Sequence, residues 1–105
     1  MTFLSVAEMP TVQAEVQQAL EAGRFEQVLG AWDTYGTRQA GMIEIAWKYV
    51  ISAENGGHLP PAEAQAIRDV RDRALFYGAL VRPLYPREVR EIGRALQKAF
   101  NATLK

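Results

Sequence analysis

The side chains able to do chemistry are few in this chain of 105 residues. His58 is the only histidine, and it stands in the segment NGGHLPP beside Gly56 and Gly57. Cysteine is absent, which removes thiol nucleophiles, disulfides and thiolate metal sites together. With one imidazole and no thiol, a metal site would have to be built from carboxylates. Asp69 and Asp72 fall on one helical face, but Arg68, Arg71 and Arg73 surround them. That pattern reads as an ion-pair lattice, whereas general acid-base work calls for acids lifted by burial or by like charge. Paired Glu-x-x-His units, a phosphate-cradling glycine loop and a nucleophile elbow are all missing from the sequence. The expectation is a non-enzymatic protein with no cofactor and no metal; an enzyme would need a pocket that brings His58 to a carboxylate.

Two other groups of residues could carry function by binding. Phe76, Tyr77, Leu80, Val81, Leu84 and Tyr85 come within ten residues, around a corner bracketed by Pro83 and Pro86. Such a run leaves solvent either for the core or for another chain, and its aromatic members suit the buried anchor of a protein interface, with nearby arginines as its rim. Just after it, Arg87, Arg90, Arg94 and Lys98 are spaced by three or four residues, a basic ridge that could touch phosphates without reading sequence. Glu88 and Glu91 are interleaved with it, as on an ordinary solvated face.

The ridge belongs to the stretch YPREVREIGRAL, residues 85–96. This stretch resembles the turn and following helix in the DNA-binding domain of LexA-type repressors, and the run from Leu59 to Leu75 resembles the preceding helix more loosely. The resemblance implies a helix-turn-helix, with a sharp turn and a recognition helix to follow. Gln97 stands where the turn glycine would be, QKAF continues the helical pattern, and Asn101 to Lys105 supply too few residues for a recognition helix. Half of the motif is present, so sequence-specific DNA reading is not expected. Near the start, ALEAGRFEQVLGAW is similar to the turn of a tetratricopeptide-type hairpin, but Val28 replaces the usual alanine and no second copy follows.

Apolar residues recur at helical spacing nearly throughout, and five helices are predicted. The first spans about Pro10 to Ala22, with Val12, Val16, Ala19 and Leu20 inward and Gly23 as its stop. The second, Arg24 to Tyr35, buries Phe25, Val28, Leu29 and Trp32 and makes a hairpin with the first. Thr37 caps a third, Arg38 to Glu54, whose polar residues form one narrow stripe with a Glu44 to Lys48 pair. It is expected at the centre of a bundle or in a subunit interface. The fourth runs from Pro61 to Val81 and the fifth from Pro86 to Ala102, packing through Val89, Ile92, Leu96 and Phe100.

The resulting fold class is all-α, a single-domain bundle of about five helices over residues 1–105. Hydrophobic residues make up 49% and charged residues 23%, the balance of a globular chain rather than a disordered or membrane-embedded one. The start of the chain lacks the basic and apolar regions of a secretory signal, so a cytoplasmic location without a membrane is expected. Net charge is zero but polarised: residues 1–57 carry three basic against seven acidic groups, and residues 58–105 nine against five. Trp32, Trp47, Ile43, Ile51, Ile67, Val70, Leu75 and Ile92 offer more apolar surface than one small core needs. The functional expectation is therefore a helical interaction module that docks on a protein partner or on itself as a homo-oligomer. The alternative is a nucleic-acid-binding accessory protein using the basic ridge.

Overall fold

A computed structural model of the chain describes residues 8–31, 37–76 and 82–104. Five helices follow in order: α1 (Met9–Glu21), α2 (Phe25–Gly30), α3 (Thr37–Asn55), α4 (Pro61–Ala74) and α5 (Pro86–Thr103). Among the described residues there is no strand, and the all-α bundle is as expected.

Helix α1 begins with Pro10 in its first turn and closes on Gly23, whose φ of +70° is open to glycine at no steric cost. The Arg24 N–H reaches the Ala19 carbonyl at 2.8 Å and the Gly23 N–H reaches Leu20 at 3.1 Å, the pair of bonds that ends a helix through a left-handed residue. Helix α3 ends the same way at Gly57, where the His58 N–H meets the Ala53 carbonyl at 2.9 Å. Each glycine reverses the chain, so α1 and α2 form one hairpin and α3 and α4 another. Thr37, expected to cap α3, is itself helical, and the five residues before it lie outside the described ones. The expected second half of the fourth helix differs more: α4 ends at Ala74, and Leu75 and Phe76 form a wider π turn. Trp32, Tyr77, Leu80 and Val81 lie outside the described residues.

Helix α5 is the element on which α2, α3 and α4 all pack, while α3 also meets α1 and α4. The centre expected of α3 is thus shared between α3 and α5. Val89, Ile92, Gly93, Leu96, Ala99 and Phe100 are buried along α5, and Ala40, Ile43, Ala46, Trp47, Val50 and Ala53 along α3. The Tyr49 and Phe100 rings meet edge to face at 4.9 Å between the two helices. Helix α2 lies close across α5: a β-carbon on Gly93 would stand 3.0 Å from the Glu26 Cα, and one on Gly30 would stand 3.2 Å from Val89 Cγ1. Ile51, one of the residues offering more apolar surface than a small core needs, is 45% exposed, beside the polar stripe of Glu44, Lys48 and Ser52. Among the described residues no helix is long and apolar enough to cross a membrane.

Candidate functional site

Helices α4 and α5 run antiparallel. Arg73 near the end of α4 meets Glu91 near the start of α5 at 2.6 Å, and Lys98 in the second half of α5 stands 3.6 Å from Glu63 near the start of α4. The end of α4 and the start of α5 therefore lie at one end of the molecule, and the residues of the expected docking surface that can be described converge there. Phe76 is 64% and Tyr85 57% exposed. Leu84, assigned with them to an interface from the sequence, is buried in the chain's own core. It serves as a peg that fixes the corner rather than as a contact offered outward.

A polar frame holds the corner. Gln39, 1% exposed at the start of α3, accepts the Leu84 N–H on Oε1 at 2.9 Å and donates Nε2 to the Leu29 carbonyl at 3.1 Å. One buried carboxamide thus ties together the end of α2, the start of α3 and the residues leading into α5. Arg82 sets its guanidinium 3.7 Å above the Tyr85 ring and donates to both Glu88 oxygens, at 2.7 and 3.1 Å. Glu88 also accepts the Tyr85 N–H at 2.7 Å, which caps the first turn of α5. The Arg82 hydrogen bonds hold the Glu88 carboxyl below the ordinary carboxylate range; partial burial opposes them and the Tyr85 N–H assists. Glu88 in turn raises the Arg82 guanidinium above its usual value. Beside the corner, Val70, Arg73, Ala74, Arg87, Glu88 and Glu91 line a cleft of about 320 Å³ between α4 and α5.

The basic ridge divides into two halves. Arg94 Nε donates to Glu26 of α2 at 3.0 Å and Lys98 faces Glu63 of α4, so the repulsion between these two like charges four residues apart is met by acids from other helices. Arg87 and Arg90 are exposed, and among the described residues neither forms an ion pair. Glu91, expected to pair with Arg87 along the helix, meets Arg73 instead. Of the ion-pair lattice expected around Asp69 and Asp72, only Arg71 with Asp72 is formed among the described residues, while Asp69 accepts from Gln65 at 3.0 Å; Arg68 bonds Glu54 at 2.5 Å, which raises the Arg68 guanidinium above its usual value, and Arg71 lies 4.0 Å over the Trp47 ring.

His58 is exposed and lines a separate cleft of about 380 Å³ with Glu63, Arg94, Gln97, Lys98 and Asn101. The condition set for an enzyme, His58 and a carboxylate in one pocket, is met in outline by Glu63, which stands opposite Lys98. Among the described residues no group of three or more His, Asp or Glu could hold a metal ion.

Sequence reasoning passed over two glutamines. Gln39 stands four residues before Ile43, and Gln97 stands four after Gly93 and three before Phe100, so both are in register with apolar faces. A polar residue on a buried stripe must find partners, and that register is the signal that could have exposed them. Gln97 donates Nε2 to the Leu20 carbonyl at 2.9 Å and accepts the Phe25 N–H on Oε1 at 3.3 Å, joining the last turn of α1 and the first of α2 to α5. In the repressor resemblance this residue marked only a missing glycine. Comparison of the chain with protein-family models, with curated proteins and with solved structures finds no match.

Proposed function

We propose that this chain is a non-enzymatic docking module that presents the Phe76 and Tyr85 corner to another protein surface. The observation that carries the reading is two large rings left mostly in water at one end of the molecule, with Tyr85 on a turn held by buried and charge-assisted hydrogen bonds. Single exposed apolar side chains are ordinary. Two at the same end of the molecule, near an open cleft, form an anchor, and the ordered turn at Tyr85 lowers what its burial by a partner would cost. The partner is a distinct protein or a second copy of the chain, and a cytoplasmic setting suits either. Nucleic-acid binding by the whole ridge is less well supported, because Arg94 and Lys98 already answer Glu26 and Glu63.

The test pairs light scattering over a range of protein concentrations with selection from a random-peptide phage library on the immobilised full chain. The expected result is a mass that rises with concentration or a set of retained peptides, with either lost in Phe76→Asp plus Tyr85→Asp. Both side chains already stand in water, so that double variant keeps the helical circular dichroism of the parent. A strict monomer that retains no peptide overturns the reading.

A further inference from the structure

The described residues at this end of the molecule carry an excess of positive charge whose position can be traced. Arg71, Arg73, Arg82, Arg87 and Arg90 stand there against Asp72, Glu88 and Glu91. Arg71 bonds Asp72, Arg73 bonds Glu91 and Arg82 bonds Glu88, so every acid of the set is taken. The surplus rests on Arg87 and Arg90, which follow Tyr85 on the exposed side of the first two turns of α5. Arg87 also forms one wall of the cleft whose apolar part is half-buried Val70 and buried Ala74. Apolar anchoring surface and arginines that form no ion pair among the described residues are therefore adjacent.

We propose that the corner takes an acidic segment of a distinct partner protein, with carboxylates meeting Arg87 and Arg90 and an apolar side chain seated against Phe76, Tyr85 and the Val70 and Ala74 wall. The proposal rests on the docking reading above and narrows it. A second copy of this chain is the weaker occupant, because a two-fold contact through the corner brings the same surplus of arginines from both sides. Like charges across an interface oppose association, whereas carboxylates there speed encounter and fix the partner's register. Arg82 is already engaged with Glu88 and the Tyr85 ring, so it shapes the site without being a free donor to the partner.

The peptides retained by the phage selection are synthesised with a fluorophore and titrated with the full chain by fluorescence polarisation. Expected are sequences enriched in Asp and Glu flanking an aromatic residue or leucine. Their affinity should fall about tenfold or more from low to high salt. Arg87→Glu plus Arg90→Glu should weaken them by at least about tenfold, with the neutral Arg87→Gln plus Arg90→Gln pair in between; both side chains replaced are exposed, and circular dichroism checks that the fold persists. Retained peptides that are neutral or basic, or that bind both arginine variants as well as the parent, overturn the proposal. The docking reading itself survives that outcome if Phe76→Asp plus Tyr85→Asp still abolishes binding, and falls if a strictly monomeric chain retains no peptide or if that aromatic pair leaves binding unchanged. Duplex DNA added to the same assay separates the other macromolecule: DNA binding abolished by Arg87→Glu plus Arg90→Glu but untouched by the aromatic pair overturns the proposal in favour of phosphate contacts.

Discussion

At the scale of single residues, the corner depends on groups that contribute through what they hold. Gln39→Leu removes the acceptor of the Leu84 N–H and the donor to the Leu29 carbonyl while keeping similar bulk. Two buried backbone groups then lose their partners, at about 1–3 kcal/mol each before relaxation. A urea titration should show the midpoint falling with its slope unchanged, and an unshifted midpoint would mean that water replaces the carboxamide. Glu88 supplies a pH dependence whose sign follows from its lowered pKa. A carboxyl whose folded pKa lies below its unfolded value of about 4.3 contributes stability that is complete above that value and is lost as pH falls through the folded pKa. Melting temperature should therefore drop on acidification below about pH 4 less steeply in Glu88→Gln than in the parent, while at neutral pH the variant is the less stable of the two. Parallel acid limbs for the two proteins would count against the Arg82 and Glu88 pairing as a contributor to folding.

At the scale of elements, the crossing of α2 over α5 is set by the absence of side chains. Gly93→Ala places a methyl group 3.0 Å from a backbone atom, the Glu26 Cα, which cannot rotate away. Alanine favours the helix by about 1 kcal/mol over glycine, yet forced separation of packed helices costs about 1–3 kcal/mol, so a net loss is expected in thermal melts. Gly93→Ala that stabilises the protein would show that α2 yields at this point. Helix α5 was the most legible element in the sequence, because Pro86 fixes its start and Val89, Ile92, Leu96 and Phe100 mark one face without interruption. The end of α4 was not legible: the apolar run after Ala74 keeps helical spacing, while the chain changes to a π turn at Leu75 and Phe76. Which of the surplus apolar residues stays outside was not legible either, since the position of Ile51 at the border of the α3 stripe is decided by which helices flank it. Pairings such as Arg94 with Glu26 join residues 68 positions apart, and no local pattern announces them.

At the scale of the whole molecule, the ion pairs at the end where α4 meets α5 engage Asp72, Glu88 and Glu91 and leave Arg87 and Arg90 over. Most of these bridges are partly exposed, and each is worth about 1 kcal/mol or less. Raising salt should accordingly shift the unfolding midpoint only slightly while altering association strongly; a large loss of stability in high salt would show that the bridges matter more to the fold than their exposure implies. The candidate corner was half legible. Its aromatic anchors announce themselves by type, but the separation of exposed Phe76 and Tyr85 from buried Leu84 depends on Gln39, which lies 45 residues away from Leu84 in the chain. The Gln97 clasp has one more consequence, for the order in which the fold is made. During synthesis the first four helices are translated before the one against which α2, α3 and α4 all pack. The α1 and α2 hairpin therefore waits, with its Leu20 carbonyl and Phe25 amide turned to water, until a side chain more than 70 positions downstream is available to receive them. Nascent chains arrested before α5 should be open to protease along their whole length, and protection should arrive in a single step with the last helix.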